Sequence, residues 1–264
     1  MINNNIEEED NFLDKNLKDI LINTLGTTNE ELNSLEKLIK IQKNKINSFD
    51  GNHTQPSIVI DNFLYHGDLG HAIDMDLLLD LHIQHIINNK INSFDGNRSQ
   101  PSIVIDNFLY HGDLGHAIDM DLLLDLHIQH IINVCDCSLD DQIKQVFHVL
   151  WINDLEDSLS SDIKKYFDQT NQFLEECKIK NQKVLVHCQA GISRSSSIVL
   201  AYLIRYHNDS LEKAYEYLLE RRPIAAPNYN FLIQLMRYEK ELKNKSQLDD
   251  KYNPIKPIKD TTDF

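Results

Sequence analysis

The chain has 264 residues, 41% of them hydrophobic, which is enough for one domain with additions or for two small domains. Its 41 acidic and 26 basic residues give a net charge of −15, which argues against non-specific binding to nucleic acid or an anionic membrane. Four cysteines are too few for a disulfide scaffold, no apolar run approaches the ~20 residues that span a bilayer, and the N-terminus has no signal-peptide pattern. We expect a cytoplasmic protein, with the nucleus as an alternative.

Residues 1–44 are interpreted as an acidic, helical N-terminal extension, separate from the rest of the chain. Thr28 and Glu31 have the spacing of a capping box, in which each side chain accepts a hydrogen bond from the backbone of the other. The positions that follow lie on one face of a helix, so a helix or a short coiled-coil seam is predicted. These positions are Leu32, Leu35, Ile39, Gln42 and Ile46.

The next region contains a nearly perfect internal repeat. Residues 45–88 recur at 90–133, and the two copies differ only at His53 against Arg98 and Thr54 against Ser99. Solenoid repeats diverge in sequence and need three or more units, so this pair is interpreted as a tandem duplication. The second copy continues directly into the rest of the chain, which makes 45–89 the surplus duplicate. A competing possibility is that the first copy occupies the same place in the fold.

Predicted strands and helices alternate through residues 98–242, which we take as the main domain. This alternation predicts an α/β fold with a central, mostly parallel sheet flanked by helices. The Lys-, Asp- and Pro-rich tail at 243–264 is predicted to be disordered. The predicted strands are 102–110 with a turn at Asp106–Asn107, then 128–134, 147–152 and 183–187, and the predicted helices are 116–126, 161–177, 195–206, 210–221 and 227–242.

One loop in this domain carries a pattern with chemical meaning. A buried strand ends at His187, residues 188–193 form a loop, and a helix follows at once. Backbone amides in such a loop, together with the helix N-terminus, form a cradle for an anion. Gly191 allows a sharp bend, and Arg194 offers a planar guanidinium that matches phosphate oxygens. Thiols in such settings have pKa values of ~3.5–7.5, so Cys188 is predicted to be a thiolate nucleophile for phosphoryl transfer.

The run His-Cys-Gln-Ala-Gly-Ile-Ser-Arg-Ser resembles the signature loop of the dual-specificity protein phosphatases. The following Ile-Val-Leu-Ala-Tyr-Leu-Ile and the later Arg-Arg-Pro-Ile-Ala-Ala-Pro-Asn extend this resemblance over roughly residues 100–242. It implies the cysteine-phosphatase fold, a two-step reaction through a cysteinyl-phosphate, and no metal or cofactor. Phosphate is expected to bind at Gln189, Ala190, Gly191, Ile192, Ser193 and Arg194.

The resemblance also implies supporting roles for three residues. Ser195 would supply the hydroxyl that assists departure of the thiolate, His187 would orient the loop, and Asn228 would support the site. Simpler structural interpretations are a helix N-cap for Ser195 and a buried core histidine for His187. These interpretations are compatible with the catalytic ones.

The reaction also needs a carboxylic acid to protonate the leaving oxygen and then to activate water. The candidates are Asp154, Glu156 and Asp157, which follow a predicted strand about 30 residues before the cysteine. Counting forward from the strand favours Asp154, whereas counting back from the next helix favours Asp157. We predict Asp154 as the acid and keep Asp157 as the alternative.

Cys135 ends a predicted strand in the run Ile-Ile-Asn-Val-Cys, which resembles the Asn-Leu-Cys segment of phosphatase-and-tensin-type lipid phosphatases. That resemblance implies a reversible disulfide between Cys135 and Cys188 that protects the nucleophile from oxidation. The alternative is an ordinary buried cysteine.

The predicted substrate is a phosphoprotein, which includes the possibility of a protein kinase. The side chains of the loop at 189–193 carry no charge, whereas related lipid phosphatases usually have lysines there. The alternatives are a phosphoprotein-binding pseudophosphatase and a lipid or RNA phosphatase that uses the same loop. No nucleic-acid or membrane partner is expected, and the sequence leaves the oligomeric state open.

Overall fold

A computed structural model describes residues 13–48, 100–208 and 210–252. Its centre is a five-stranded sheet with strand order β1-β2-β5-β3-β4. The β1 strand is antiparallel to β2, and the remaining neighbours are parallel, which confirms the prediction of a mostly parallel α/β fold. The strands are β1 (Ser102–Ile105), β2 (Leu109–Gly112), β3 (Ile128–Asn133), β4 (His148–Trp151) and β5 (Lys183–His187).

Nine α-helices accompany this sheet in the described residues. No helix among them is both long enough and apolar enough to cross a membrane. They are α1 (Lys15–Leu25), α2 (Asn29–Ser48), α3 (Leu114–Ile118), α4 (Met120–Asp125), α5 (Asp141–Val146), α6 (Phe167–Ile179), α7 (Arg194–Tyr206), α8 (Leu211–Arg221) and α9 (Tyr229–Tyr252), with a 3-10 turn at Lys164–Tyr166 before α6.

Three helices differ from the prediction. The single helix expected at 116–126 is two short helices, because the carboxylate of Asp119 accepts a hydrogen bond from the Leu122 amide and starts α4. Helix α5 was not predicted. Helix α9 continues to Tyr252, so the prediction of disorder from residue 243 is wrong as far as 252, and residues 253–264 lie outside the described residues.

The sheet separates two hydrophobic cores because successive side chains of a strand point to opposite faces. On β5, Val184 and Val186 enter the larger core, which also holds α7 and α8. Leu185 between them enters the smaller core, formed with α3, α4 and α5. All three β5 side chains are fully buried, so this strand lies at the centre of the fold, and its C-terminal end is fixed in position.

The two N-terminal helices belong to the larger core. Leu21, Leu35 and Leu38 are 0 to 1% exposed and pack in the same cluster as the helices of the catalytic domain. The predicted capping box at Thr28 and Glu31 is present, with N···O distances of 2.8 and 3.2 Å. The interpretation of 1–44 as a separate region is therefore wrong for residues 13–44.

Polar contacts add to this attachment. Arg237 of α9 donates from Nε to the Glu31 carboxylate at 2.7 Å and from a terminal nitrogen to the Leu25 carbonyl at 3.1 Å. Lys45 at the other end of α2 binds Glu220 of α8 at 3.0 Å. The extension is thus held to α8 and α9, the last two helices of the described chain.

The repeat contributes β1, β2 and β3 to the described sheet, and all three come from its second copy. The interpretation of 45–89 as a surplus duplicate stays a prediction, because residues 49–99 lie outside the described residues. Removing 45–89 joins Asn44 to Lys90, and Lys90 begins the same Lys-Ile-Asn-Ser run that ends α2. The deletion therefore regenerates the end of that helix in sequence.

We expect the chain without 45–89 to keep its fold and its activity. Its melting temperature should stay within about 2 °C of the full chain, as for changes that touch no core residue. Differential scanning calorimetry and phosphate-release assays would measure both. The matched control removes 89–133 instead, which joins Asn88 to Val134 and retains His53 and Thr54. Loss of stability or turnover in both variants would show that the chain needs two copies.

Candidate active site

The predicted strand, loop and helix at 183–206 form as expected, with Cys188 directly after β5 and α7 beginning at Arg194. Strand β5 is flanked by β2 and β3, whose C-terminal ends lie beside His187. Cys188 is only 2% exposed. The loop therefore lies at the carboxyl edge of a parallel sheet, where α/β proteins bind their ligands.

The carbonyl oxygens of residues 189–193 are all hydrogen-bonded by the surrounding protein. In a trans peptide unit the N–H points opposite to the C=O, so the amides of residues 190–194 face the enclosed side of the loop. Together with the N-terminus of α7 they form a site for an anion. The donors are Leu114 N to Gln189 O (3.1 Å), Arg222 to Ala190 O (3.5 Å) and Gly191 O (2.7 Å), Ala226 N to Ile192 O (2.8 Å), and Ser197 Oγ to Ser193 O (2.9 Å).

Arg194 lies beside this anion site, with its side chain 11% exposed. One terminal nitrogen donates to the Leu155 carbonyl at 3.2 Å, whereas the buried Nε has no hydrogen-bond partner among the described residues. Burial alone would lower the pKa of Arg194, but the negative charges of Cys188 and Asp157 raise it above its ordinary value. The guanidinium is therefore charged and keeps a donor for a phosphate oxygen.

Two predicted supporting residues surround the cysteine. The Ser195 hydroxyl donates to the Cys188 sulfur across 3.1 Å. His187 is fully buried, its Nδ1 lies 3.4 Å from the Cys188 carbonyl oxygen, and burial lowers its pKa to about 4. His187 is therefore neutral near pH 7, and it contacts the backbone from which the loop begins.

The structure brings Asp157, not Asp154, to the loop. One carboxylate oxygen of Asp157 accepts hydrogen bonds from Ser193 Oγ and Asn228 Nδ2, both at 2.7 Å. Its other oxygen lies 3.9 Å from Arg194 Nε. Asn228 also caps α9, since its side-chain oxygen accepts from the Phe231 amide at 2.9 Å. The predicted support from Asn228 thus consists of holding a carboxylate at the rim of the anion site.

Asp154 points to other partners. Its carboxylate accepts hydrogen bonds from Tyr166 and Lys165, and its side chain is 64% exposed. These donors, Tyr166 foremost, hold the pKa of Asp154 below its ordinary value, which disfavours the protonated form that a general acid needs. The prediction of Asp154 as the acid is therefore not supported by the geometry. Glu156, the third candidate, is exposed.

The dual specificity phosphatase catalytic-domain family model matches residues 109–241, about half of the chain. This chain belongs to the dual-specificity phosphatase family. The match begins at β2 and ends within α9, so it includes the loop, Asp157 and Asn228.

Curated relatives of this chain have the same family name. Human dual specificity protein phosphatase 16 is 46% identical over 90 residues, which are 34% of this chain and 14% of the relative. A probable dual specificity protein phosphatase of Dictyostelium discoideum is 52% identical over 90 residues, 34% of this chain and 23% of the relative. The similarity thus spans less than a quarter of the length of either relative.

Two solved structures have a similar fold. The human tyrosine phosphatase-like serine/threonine/tyrosine-interacting protein has a TM-score of 0.51 and 30% identity, over 55% of this chain and 98% of that one. DUSP15 has a TM-score of 0.51 and 30% identity, over 56% of this chain and 96% of that one. This chain covers almost all of both structures, so it shares their fold.

Arg222 also contacts the loop, and the sequence pattern predicts no role for it. It is 5% exposed, and besides the loop carbonyls it reaches Ser102 Oγ at 3.3 Å. Gly191 fits beneath it: the residue has φ +66°, and a Cβ there would lie 2.3 Å from an Arg222 nitrogen and 2.5 Å from the Gly112 carbonyl oxygen. The sequence contains the Arg-Arg-Pro run, but it does not show which of the two arginines is buried. That depends on the direction in which the chain leaves α8.

The cysteines around the loop are all free thiols. Cys135 is fully buried, with its sulfur 3.9 Å from His187 Nδ1. Burial raises the pKa of Cys135 far above its ordinary value, and the neighbouring Cys188 and Cys137 raise it further. A thiol that resists ionisation attacks an oxidised partner slowly. The Cys135–Cys188 disulfide stays a prediction.

Proposed function

We propose that this chain is a protein phosphatase that hydrolyses phosphotyrosine and phosphoserine or phosphothreonine through a cysteinyl-phosphate. The observation that carries the proposal is the joint placement of Cys188, Arg194 and Asp157 around one anion-binding loop. The family match and the phosphatase relatives support the same reaction class.

In the first proposed step, the Cys188 thiolate attacks the phosphorus atom of the bound monoester. The loop amides and Arg194 bind the three non-bridging oxygens, where charge is distributed in the transition state. As the P–O bond to the substrate breaks, Asp157 gives its proton to the leaving oxygen. The products of this step are the dephosphorylated protein and a phosphoryl group on sulfur.

In the second step, the Asp157 carboxylate takes a proton from a water molecule, which attacks the phosphorus atom. The P–S bond breaks, and the electron pair returns to sulfur as a thiolate. Ser195, whose hydroxyl donates to that sulfur at 3.1 Å, stabilises the thiolate as it leaves. Inorganic phosphate is released, and the enzyme returns to its starting state.

A phosphoprotein is favoured over a phosphoinositide because of the charges near the loop. Residues 189–193 carry no cationic side chain that could bind additional phosphates. Asp136, 3.9 Å from Arg194 and 79% exposed, adds negative charge at the entrance. With a net charge of −15, the chain would also be repelled by an anionic lipid surface.

A substrate panel tests this proposal. Purified full chain is assayed for phosphate release from peptides with phosphotyrosine, phosphoserine or phosphothreonine, from short-chain phosphoinositides, and from RNA with a 5′-triphosphate. We expect release from the phosphopeptides alone. Release only from lipid or RNA would contradict the proposed substrate. Tight binding of phosphopeptides without turnover by folded protein would instead identify a pseudophosphatase.

A further inference from the structure

The buried histidine of β2, His111, takes no part in the reaction proposed above. It is 0% exposed and pairs with Val186 of the neighbouring strand β5. Its Nε2 lies 2.9 Å from Ser195 Oγ, and that hydroxyl lies 3.1 Å from the Cys188 sulfur. The three side chains therefore form a continuous hydrogen-bonded chain that ends at the nucleophile.

We infer that His111 is a positioning residue that fixes the proton of Ser195 on the Cys188 sulfur. A serine hydroxyl has one proton and can also accept hydrogen bonds. If His111 Nε2 donates to Ser195 Oγ, the hydroxyl proton cannot turn toward the histidine and is directed to the sulfur. The inference rests on the proposed phosphatase reaction and adds a residue to it.

The other ring nitrogen supports this direction of donation. His111 Nδ1 is buried and has no hydrogen-bond partner among the described residues. A proton on Nδ1 would be an unpaired buried donor, and it would leave Nε2 as an acceptor that competes with the sulfur for the Ser195 proton. Placing the proton on Nε2 ends that competition and leaves Nδ1 as an unpaired acceptor instead of an unpaired donor.

His111 is neutral, so it has a single ring proton to donate. Burial holds its pKa well below the ordinary value, and the charge of Arg222 lowers it further. Asp113 acts in the opposite direction but does not reverse the shift. The other titratable groups that act on it are His116 and His187.

Ser195 differs from the two serines that follow it. Ser196 Oγ donates to the Ile192 carbonyl at 2.6 Å, and Ser197 Oγ donates to the Ser193 carbonyl at 2.9 Å. Each hydroxyl is bonded to the carbonyl four residues earlier in the chain, which is the usual arrangement for serine within a helix. Ser195 instead bonds two side chains, so the direction of its proton depends on His111.

The expected consequence appears in the second chemical step. There the thiolate is the leaving group, and a hydrogen bond that it accepts stabilises the developing charge. Without the His111 donor, Ser195 can rotate away from the sulfur. Hydrolysis of the cysteinyl-phosphate should slow, while binding of substrate and formation of the intermediate should change little.

The test compares His111→Leu, which removes the donor, with His111→Gln, whose amide nitrogen can replace Nε2. With p-nitrophenyl phosphate we expect His111→Leu to lower kcat and KM together by about tenfold, as for a lost hydrogen bond to a charged group. The ratio kcat/KM should stay unchanged, because only the second step slows. Stopped-flow traces should show a burst of one nitrophenol per enzyme. His111→Gln should recover most of the loss.

A double-mutant cycle with Ser195→Ala separates positioning from packing. In the Ser195→Ala background, His111→Leu should cause no further loss of kcat, because the hydroxyl that it positions is gone. An equal loss in both backgrounds, or an equal loss in His111→Leu and His111→Gln, would overturn the inference. Melting temperatures of all variants show whether a loss comes from unfolding.

A measurement that does not depend on turnover tests the inference about His111 separately from the proposed phosphatase function. The rate of Cys188 alkylation by iodoacetamide is measured against pH for each variant. We expect its midpoint to move to higher pH in His111→Leu and in Ser195→Ala, and to stay in place in His111→Gln. This pattern in a chain that hydrolyses no phosphopeptide would support the inference and contradict the phosphatase proposal, and an unmoved midpoint in His111→Leu would contradict the inference.

Discussion

Replacing Cys188 by serine is expected to remove turnover and to leave phosphopeptide binding intact. A serine hydroxyl is not ionised near neutral pH, so the loop contains no nucleophile for phosphorus. The amides of the loop and Arg194 keep their positions, because the substitution changes a single buried atom. We expect kcat to fall by at least about 10⁴-fold, as for removal of other catalytic nucleophiles. Phosphate release and calorimetric titration with a phosphopeptide measure the two effects.

The matched control is Cys137→Ser. Cys137 is partly buried, and its sulfur lies 3.7 Å from the side-chain oxygen of Gln189, so it shares the surroundings of the loop without lying beneath the phosphate site. A serine can make the same contact with Gln189. Turnover by Cys188→Ser at the wild-type rate would exclude the proposed nucleophile. An equal loss of turnover in Cys137→Ser would show that any substitution near the loop lowers activity.

The second large effect is expected from Asp157→Asn. The amide has no proton to give to the leaving oxygen, so kcat on phosphotyrosine peptide should fall by about 10²–10⁴-fold. The loss should be smaller with p-nitrophenyl phosphate, whose leaving group needs little protonation. Steady-state kinetics with both substrates would measure the two results.

Asp154→Asn is the control for this prediction. Asp154 is bonded to Lys165 and Tyr166 at the surface, so its substitution should change kcat by no more than about twofold, as for surface positions generally. Asparagine at 157 can still accept from Ser193 through its remaining oxygen, which preserves the local structure. A larger loss in Asp154→Asn than in Asp157→Asn would return the acid to the position first predicted.

The structure of the candidate loop could be predicted because the strand, loop and helix follow one another directly in the sequence. A buried strand, six loop residues and a helix are adjacent in sequence, and the functional groups of Cys188, Arg194 and Ser195 follow directly from that order. The sheet was also predictable, since its buried strands are continuous apolar runs. Local patterns of this kind do not depend on how the elements pack.

The position of the candidate acid could not be fixed from the sequence because it depends on a loop. Counting from β4 assumed that the chain leaves the sheet directly after Ile152. In the structure Leu155 is a second buried anchor, 2% exposed, and its carbonyl accepts a hydrogen bond from Arg194. Because the chain is held at Leu155, the carboxylate at the rim of the anion site is that of Asp157, three residues after Asp154. Counting from the strand and counting from the helix both leave out the contact between Leu155 and Arg194, which are far apart in the sequence.

His111 and Arg222 could not be found from the sequence because their partners are distant in it. His111 contacts Ser195, 84 residues away, and Arg222 contacts Gly191, 31 residues away. The sequence pattern around each of these two residues is explained by the fold of its own element, so it does not indicate a role in the site. Only the order of the strands and the direction in which α8 ends bring them under the loop.

Because α1 and α2 pack against α8 and α9, the part of the chain that folds together is larger than the part that matches the family. The family match begins at residue 109, yet Leu21, Leu35 and Leu38 complete the core against which α8 and α9 pack. Cutting the chain at the boundary of similarity would uncover that apolar surface, and each buried leucine contributes about 1.5–3 kcal/mol to folding. Arg222 and Asn228 lie at the ends of those same two helices, so we expect a change that loosens the amino-terminal helices to disturb the loop as well.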